Sequence, residues 1–331
     1  MGRLWLAPME GLADCVLRDV LTRAGGYDVV VSEFIRVSGS LLPPRTFRRV
    51  CPELAHGSRT PAGTPVLVQL LGSDPGCLAE NAAQLAALHP AGIDLNFGCP
   101  APTVNRHGGG AMLLDDPELL ARITAAVRRA VPATIPVSAK MRLGISDTSK
   151  ALACAHALEA SGIAALVVHA RTRDDGYRPP AHWEWVARIR EHVVIPVIAN
   201  GDVWTPADYE RCRLITGCDE VMIGRGAVAD PFLARRIKAR SGGEQAVGRT
   251  ADWRELQPLL GEFWAQVQAR VDPRHAPGRL KLWLNALRQT LIEAEALYWA
   301  IRPLRGVAEV AQVLESHGVS CVRPLPAAAA A

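Results

Sequence analysis

One thiol stands in a neighbourhood suited to chemistry, in the run Asp94-Leu95-Asn96-Phe97-Gly98-Cys99-Pro100. The run is an apolar strand with a polar end, and Pro100 stops it because proline has no amide to give to a ladder. The carboxamide of Asn96 comes just before the thiol, and the glycine run Gly108-Gly109-Gly110 follows it. The tip of a barrel strand is where such enzymes keep their reacting groups. A cysteine by itself can equally fill a small apolar gap. The next two apolar runs, however, end in Lys140-Met141-Arg142 and His169-Ala170-Arg171, so three successive polar tips need a shared explanation.

Two further tips, Asn200-Gly201-Asp202 and Gly224-Arg225-Gly226, fall where a barrel builds its phosphate site. Glycines let backbone N–H groups close on a phosphate, and Arg225 can grip it in bidentate fashion. The glycines could also simply end strands. Lys140 has no acidic partner in its own tip, and a lone interior lysine favours meeting an anion. Flavin mononucleotide (FMN) answers both demands, with its phosphate at the last two loops and the charge of its reduced ring beside Lys140. Gln69, at the tip of the third run, is expected to hydrogen-bond the ring edge. Pro8, Met9 and Glu10 are expected to seat its other side.

These tips need elements to hold them. Apolar runs recur at residues 4–9, 29–34, 66–71, 93–97, 137–141, 165–169, 194–199 and 220–223, with helix-length segments between them. Continuous rather than alternating hydrophobicity marks parallel strands covered on both faces. In residues 117–130, Leu119, Leu120, Ile123 and Val127 recur at helical spacing behind Asp115-Asp116. The pattern predicts an α/β fold, a (β/α)8 TIM barrel. A doubly wound sheet would usually show a glycine fingerprint after its first strand, which Ala7-Pro8-Met9-Glu10-Gly11 lacks. Past Gly242-Gly243 the strand pattern stops. Residues 251–318 read as helices with a stripe of Leu280, Leu284, Leu287 and Leu291. The expected division is a barrel over residues 1–243 and a C-terminal helical domain over 244–331, ending in a frayed tail at 327–331.

Composition narrows the class. A net charge of +4 over 331 residues does not by itself announce a nucleic-acid partner, which would need a concentrated basic face. The eight cysteines form neither a Cys-x-x-Cys pair nor a Cys/His cluster, so no structural metal is expected. Scattered thiols, and a start without an apolar signal core or a myristoylation hydroxyl, lead us to expect a cytoplasmic protein. No apolar run reaches the length of a membrane span, so no membrane partner is expected.

Taken together, Ala7-Pro8-Met9-Glu10-Gly11, Gln69-Leu70-Leu71-Gly72, the Cys99 run with its glycines, Lys140-Met141-Arg142, His169-Ala170-Arg171-Thr172, Asn200-Gly201-Asp202 and Gly224-Arg225-Gly226 resemble the tRNA-dihydrouridine synthases over nearly the whole chain. The stretches Ser32-Glu33-Phe34-Ile35-Arg36-Val37, Leu41-Leu42-Pro43 and Cys51-Pro52-Glu53-Leu54 resemble the bacterial branch that acts on uridine 16 of the D-loop. Ala170 departs from the family's usual glycine. The resemblance implies an FMN barrel, NADPH as reductant, and a C-terminal helical domain that holds tRNA. It also implies that Cys99 is the acid and that Pro8, Met9, Glu10, Gln69, Lys140, His169, Asn200, Gly201, Asp202, Gly224 and Arg225 contact the flavin. Arg36, Arg279, Lys281 and Arg302 align with positions used to orient tRNA.

Reducing the C5=C6 bond of uracil takes a hydride and a proton, and a thiol with a reference pKa of about 8.5 is mostly protonated at neutral pH. Cys99 can therefore donate. Asn96 and Arg142 are expected to hold the uracil carbonyls. Tyr177 is expected to stack on the flipped base or to serve the structure. Arg270, Arg274, Arg279, Lys281 and Arg288 form a basic stretch opposed only by Asp272, with Lys281, Asn285 and Arg288 on one face of a helix beginning near Arg279. Such a face is either solvated or in contact with RNA. The chain is expected to act as a monomer. The competing readings are an FMN barrel acting on a free pyrimidine and a non-catalytic tRNA-binding protein.

Overall fold

The computed structural model describes residues 2–242 and 252–321. The expected boundary at 243 and the alanine-rich tail at 327–331 lie outside the described residues.

The apolar runs become parallel strands: β1 (Leu4–Leu6), β2 (Val29–Val31), β3 (Ile35–Arg36), β4 (Val66–Leu71), β5 (Ile93–Phe97), β6 (Val137–Arg142), β7 (Ala165–His169), β8 (Val197–Asn200) and β9 (Glu220–Ile223). Neighbours pair in the order β2-β1-β9-β8-β7-β6-β5-β4, and a β2–β4 pairing closes the ring. The result is the expected eight-stranded barrel, with β3 as a two-residue addition beside the end of β4. Helices alternate with the strands. Pro117–Ala130 forms as the periodicity predicts, with Asp116 capping it and Leu120, Ile123 and Val127 buried.

Three runs are shorter or more broken than their hydrophobicity suggests. β1 ends at Leu6; Ala7 still donates to the Ile223 carbonyl at 2.9 Å, but Pro8 has no amide to continue. Of the run 29–34 only Val29–Val31 forms a strand; β3 begins just past it, and Glu33 between the two accepts the Gly11 amide at 2.6 Å. In the run 194–199, Val194 and Ile195 give their amides to the Glu159 carboxylate at 2.5 and 3.2 Å, and the ladder starts only at Val197.

Side chains alternate across a strand, so every second residue enters the barrel. Trp5, Ala7, Val29, Val31, Leu67, Ala165, Val167, Ile198 and Met222 form an apolar cluster there. The same period on β4, β5 and β6 brings in Gln69, Asp94, Asn96, Ser138 and Lys140. One wall of the interior is therefore polar.

The chain forms two compact units. One comprises the residues up to Gly11 with Tyr27–Gly224 and holds the barrel; the other comprises Leu12–Gly26 with the chain from Arg225. In the second unit the helices are Cys15–Ala24, Arg225–Ala229, Leu233–Ser241, Asp252–Arg270, Ala276–Leu287, Ile292–Ile301 and Val307–Ser316. Leu280, Leu284, Leu287 and Leu291 are all buried, as the stripe predicts. Trp283 packs 4.6 Å from Phe263, ring centre to ring centre, and donates its indole N–H to the Val228 carbonyl at 3.2 Å. Among the described residues, no helix is long and apolar enough to cross a membrane.

Helix Pro206–Thr216 begins with a reciprocal cap, Thr205 Oγ1 accepting the Asp208 amide at 3.1 Å and Asp208 Oδ2 accepting the Thr205 amide at 3.0 Å. Thr205→Ala is expected to cost about 1 kcal/mol. This should appear as a lower urea midpoint with an unchanged far-UV spectrum; an unshifted midpoint would show that the cap contributes nothing.

Candidate active site

The C-terminal ends of the parallel strands gather the polar tips on one face of the barrel. Strand register sets which tips meet: Asn96 lies opposite Lys140, Arg142 opposite His169, and His169 opposite Asn200. Residues 27 to 44 positions apart in sequence thus become neighbours around one rim.

Cys99 is half-buried at this face. Its amide and that of Gly98 both donate to Asn96 Oδ1, at 2.9 and 3.0 Å. Its carbonyl accepts from the Ala111 amide at 3.1 Å and from Asn105 Nδ2 at 2.9 Å. The glycine run is close, as the sequence suggests. Gly110 has φ +62°, and a Cβ there would lie 2.7 Å from the Cys99 carbonyl oxygen, so a side chain would displace the thiol's own backbone. Burial pushes the Cys99 thiol above its ordinary pKa and Glu10 adds to this, against an Ala101 backbone hydrogen bond, Arg142 and Lys140. Glu10, four residues beyond β1, thus acts on the sulfur in the same sense as burial, toward the protonated thiol.

Lys140 also faces this region, and burial, with Arg142 adding to it, lowers its ammonium to about 8. Asp94 and Cys99 act in the opposite sense but do not outweigh these effects. Among the described residues the Lys140 ammonium has no hydrogen-bond acceptor and no carboxylate within 4.0 Å. Asn200 donates to the Met222 carbonyl at 2.8 Å, and the Gly201 carbonyl accepts the Trp183 indole N–H at 3.0 Å. Gly201 has φ +129°, and a Cβ there would come within 3.4 Å of the His169 ring. Gly224 lies beside Ala7 and Met9. Pro8 and Met9 are part-exposed and Glu10 exposed, at the same rim.

Several expected ligand contacts prove to be internal supports. Gln69 has no exposed area; it donates to Asp94 Oδ2 at 2.6 Å and accepts from Asn96 Nδ2 at 2.8 Å, so it cannot reach a ring edge directly. Asn96 spends its oxygen on the Gly98 and Cys99 amides rather than leaving it open to a uracil. Arg142, 1% exposed, donates from Nε to the Gly98 carbonyl and from Nη1 to the Thr172 and Gly176 carbonyls at 2.8–3.0 Å, so these donors are engaged within the rim. Asp202 pairs with the buried Arg171, which also donates to the Arg178 carbonyl at 2.6 Å. Arg36 donates to the Thr103 carbonyl at 3.0 Å and so ties the end of β3 to the segment after Cys99. Tyr177, half-exposed, lies 5.3 Å from the Arg142 guanidinium and 6.1 Å from the His169 ring.

In the second unit, the helix with the basic face runs Ala276–Leu287, starting earlier than expected. Asp272 is not the only opposing carboxylate. Arg274 pairs with Asp272, Arg279 with Asp14 at 2.7 Å and Arg288 with Glu295 at 3.5 Å. Lys281 donates to the Leu304 carbonyl at 2.5 Å, and Arg288 Nε donates to Asn285 Oδ1 at 3.0 Å, so Asn285 and Arg288 do adjoin. Arg302 lies over the half-exposed Trp299 ring at 4.8 Å. Arg225 opens the helix Arg225–Ala229 and is exposed.

Sequence reasoning missed Asp94, Ser138, Asn105 and Arg171. Asp94 and Ser138 each stand two residues before a singled-out residue, Asn96 and Lys140, and the strand period alone would have placed them on the same inward face.

Comparison with known proteins gives a consistent result. The family model described as dihydrouridine synthase (Dus) matches residues 5–272. The tRNA-dihydrouridine(16) synthase of Ralstonia nicotianae is 59% identical over 315 residues, covering 95% of this chain and 96% of that protein. The protein of the same name from Cupriavidus necator is 59% identical over 315 residues, covering 95% and 97%. Among solved structures, histamine dehydrogenase from Rhizobium sp. 4-9 aligns with a TM-score of 0.55 at 15% identity, covering 79% of this chain and 48% of that one, a likeness of fold alone.

The Lys140 shift has a defined consequence for stability. Its folded value of about 8 lies below the ordinary 10.5, so between these values the unfolded chain binds more protons than the folded one and stability rises with pH. Below about pH 8 the full cost of burying the cation is felt. In ligand-free protein, Lys140→Met should therefore be more stable than the parent at pH 7, with the margin closing as pH rises toward 10. Urea midpoints across that range test this; a constant margin would contradict it.

Proposed function

The chain belongs to the dihydrouridine synthase family, and from that premise we propose that it reduces the C5=C6 bond of uridine 16 in the D-loop of tRNA, with FMN as cofactor and NADPH as reductant. The observation that carries this reading is the Cys99 thiol held at the barrel mouth by Asn96, Asn105 and the Ala111 amide, with Lys140 acting on it from the next strand.

The residues fit a flavin. A buried cation without an acceptor is costly unless an anion meets it, and Lys140 is in that position. Its place in the polar wall suits the ring, while Asn200, Gly201, Gly224 and Arg225 suit the phosphate. Pro8, Met9, Glu10 and His169 border the same face, and Asp202 holds the phosphate loop through Arg171. When bound, the flavin supplies the hydride that saturates one carbon of the uracil. Gln69 acts from within the wall by fixing Asn96.

Cys99 supplies the other half of the addition. Burial favours the protonated form of its Sγ, so the proton is at hand when the second carbon acquires charge. Asn96 holds the Cys99 backbone from one side, while Asn105 and the Ala111 amide hold it from the other, so the thiol meets the base at a fixed position. Arg142 joins the Gly98 carbonyl to the segment carrying Tyr177, which leaves the Tyr177 ring able to cover an extruded base.

The second unit is proposed to hold tRNA. Arg288 and Arg302 beside the exposed Trp299 offer charge and an aromatic face together, as RNA contacts do. Arg36, Arg279 and Lys281 serve tRNA indirectly, by fixing the segments they hydrogen-bond. A tRNA substrate also supports a cytoplasmic setting.

Cys99→Ala should retain flavin and its reduction by NADPH but lose dihydrouridine formation by roughly a hundredfold or more. Mapping the modified base in tRNA after incubation tests this, and normal turnover would overturn the assignment. Equal turnover of free uracil by the parent protein would instead favour a free-pyrimidine enzyme. Arg302→Gln should weaken tRNA binding and lower its salt slope by about one unit; an unchanged slope would remove this surface from the interface.

A further inference from the structure

The interior wall holds a carboxylate to which the chemistry above gives no role. Asp94 is completely buried on β5. Its Oδ1 accepts from Ser138 Oγ at 2.6 Å and its Oδ2 accepts from Gln69 Nε2 at 2.6 Å. Burial pushes its carboxyl up, while these two hydrogen bonds and Lys140 act in the opposite direction.

The direction of the bonds leading away from Asp94 is fixed by chemistry. The amides of Gly98 and Cys99 can only donate, so the Asn96 atom facing them must be its oxygen. Asn96 therefore turns its NH2 group to Gln69, and the Gln69 atom receiving it must be the carbonyl oxygen. That leaves the Gln69 NH2 group pointing inward, and whatever stands at position 94 has to accept. A carboxylate does so without ambiguity, and the adaptable Ser138 hydroxyl takes up its second oxygen. Reversing Asn96 would set donor against donor at the Cys99 backbone, and reversing Gln69 would set donor against donor at Asn96 and acceptor against acceptor at Asp94.

We propose that Asp94 is a positioning residue, whose acceptor oxygen fixes the polarity of a hydrogen-bond relay through Gln69 and Asn96 that holds the Cys99 backbone at the barrel mouth. The relay runs Ser138–Asp94–Gln69–Asn96–Gly98/Cys99 across three adjacent strands. It acts on the reaction through the placement of the thiol and so rests on the reading of Cys99 as proton donor. The placement itself can be measured without activity.

The test uses the flavin-loaded protein with Asp94→Leu, Asp94→Asn and Gln69→Met. Leucine removes the acceptor and leaves the Gln69 NH2 group unpaired. Asparagine can keep an oxygen toward Gln69 and give its own NH2 to Ser138 Oγ, so the relay keeps its polarity without the charge. Methionine at 69 cuts the relay one step later with the Asp94–Ser138 bond intact, and serves if Asp94→Leu does not fold.

Amide hydrogen exchange in a peptide containing Gly98 and Cys99 should accelerate about tenfold in Asp94→Leu and Gln69→Met, the factor expected for a lost hydrogen bond. Peptides from β7 should stay as protected as in the parent, which a general loss of stability would not allow. Asp94→Asn should keep the parent's protection. On tRNA, Asp94→Leu and Gln69→Met should lower kcat roughly tenfold to a hundredfold with KM little changed, and Asp94→Asn should recover most of that loss. Unchanged exchange at Gly98 and Cys99 in both relay-breaking variants would overturn the proposal, as would Asp94→Asn behaving like Asp94→Leu. If the parent protein proved inactive on tRNA, the exchange arm would still decide the relay, so the two failures remain distinct.

Discussion

A polar group drawn into a closed barrel has to find its partner there, because water does not reach it and no strand edge is open to supply one. The interior here obeys that constraint along β4, β5 and β6. Asp94, Gln69, Asn96 and Ser138 satisfy one another in a continuous line, and the last acceptor in the line is used by the backbone of Cys99. The position of the thiol is thus an outcome of polar accounting in the core, reaching the surface through a carboxamide. Lys140 stands beside this line without joining it. Its cation has no acceptor among the described residues, a cost that the folded, ligand-free protein carries.

The same rule explains what two of the buried arginines do. Arg142 and Arg171 sit at strand ends where a substrate would be expected to meet them, yet their donors are taken by carbonyls of Gly98, Thr172, Gly176 and Arg178 and by Asp202. A guanidinium carries a fork of donors in fixed geometry and can hold several loop carbonyls at once. Both arginines therefore stiffen the loops of the rim. The Cys99 thiol, the Lys140 ammonium and the half-exposed face of Tyr177 are not spent on such supports.

Much of this was legible before the fold was known. Continuous apolar runs with helical segments between them specify parallel strands, and all eight expected runs lie in the barrel. The polar tips marked its active end. Runs 4–9 and 194–199 misled because hydrophobicity reports burial, whereas a ladder needs free amides, and Pro8 and the Glu159 carboxylate remove them. Gln69, Asn96 and Arg142 stand out in the sequence as candidates, but which atom each turns toward which partner is not written in residue type. Asp94 passed unnoticed because its partner Gln69 lies on another strand and its other partner, Ser138, lies 44 positions away.

The amino-acid order by itself determined the parallel barrel, the helical C-terminal segment, the identity of the thiol and the ring of strand tips, since these follow from periodicity, proline, glycine and local residue type. The tertiary structure alone decided which polar side chains face a ligand and which face one another. That division is set by strand register and by the requirement that each buried donor meet an acceptor, and both are relations between segments far apart in the chain.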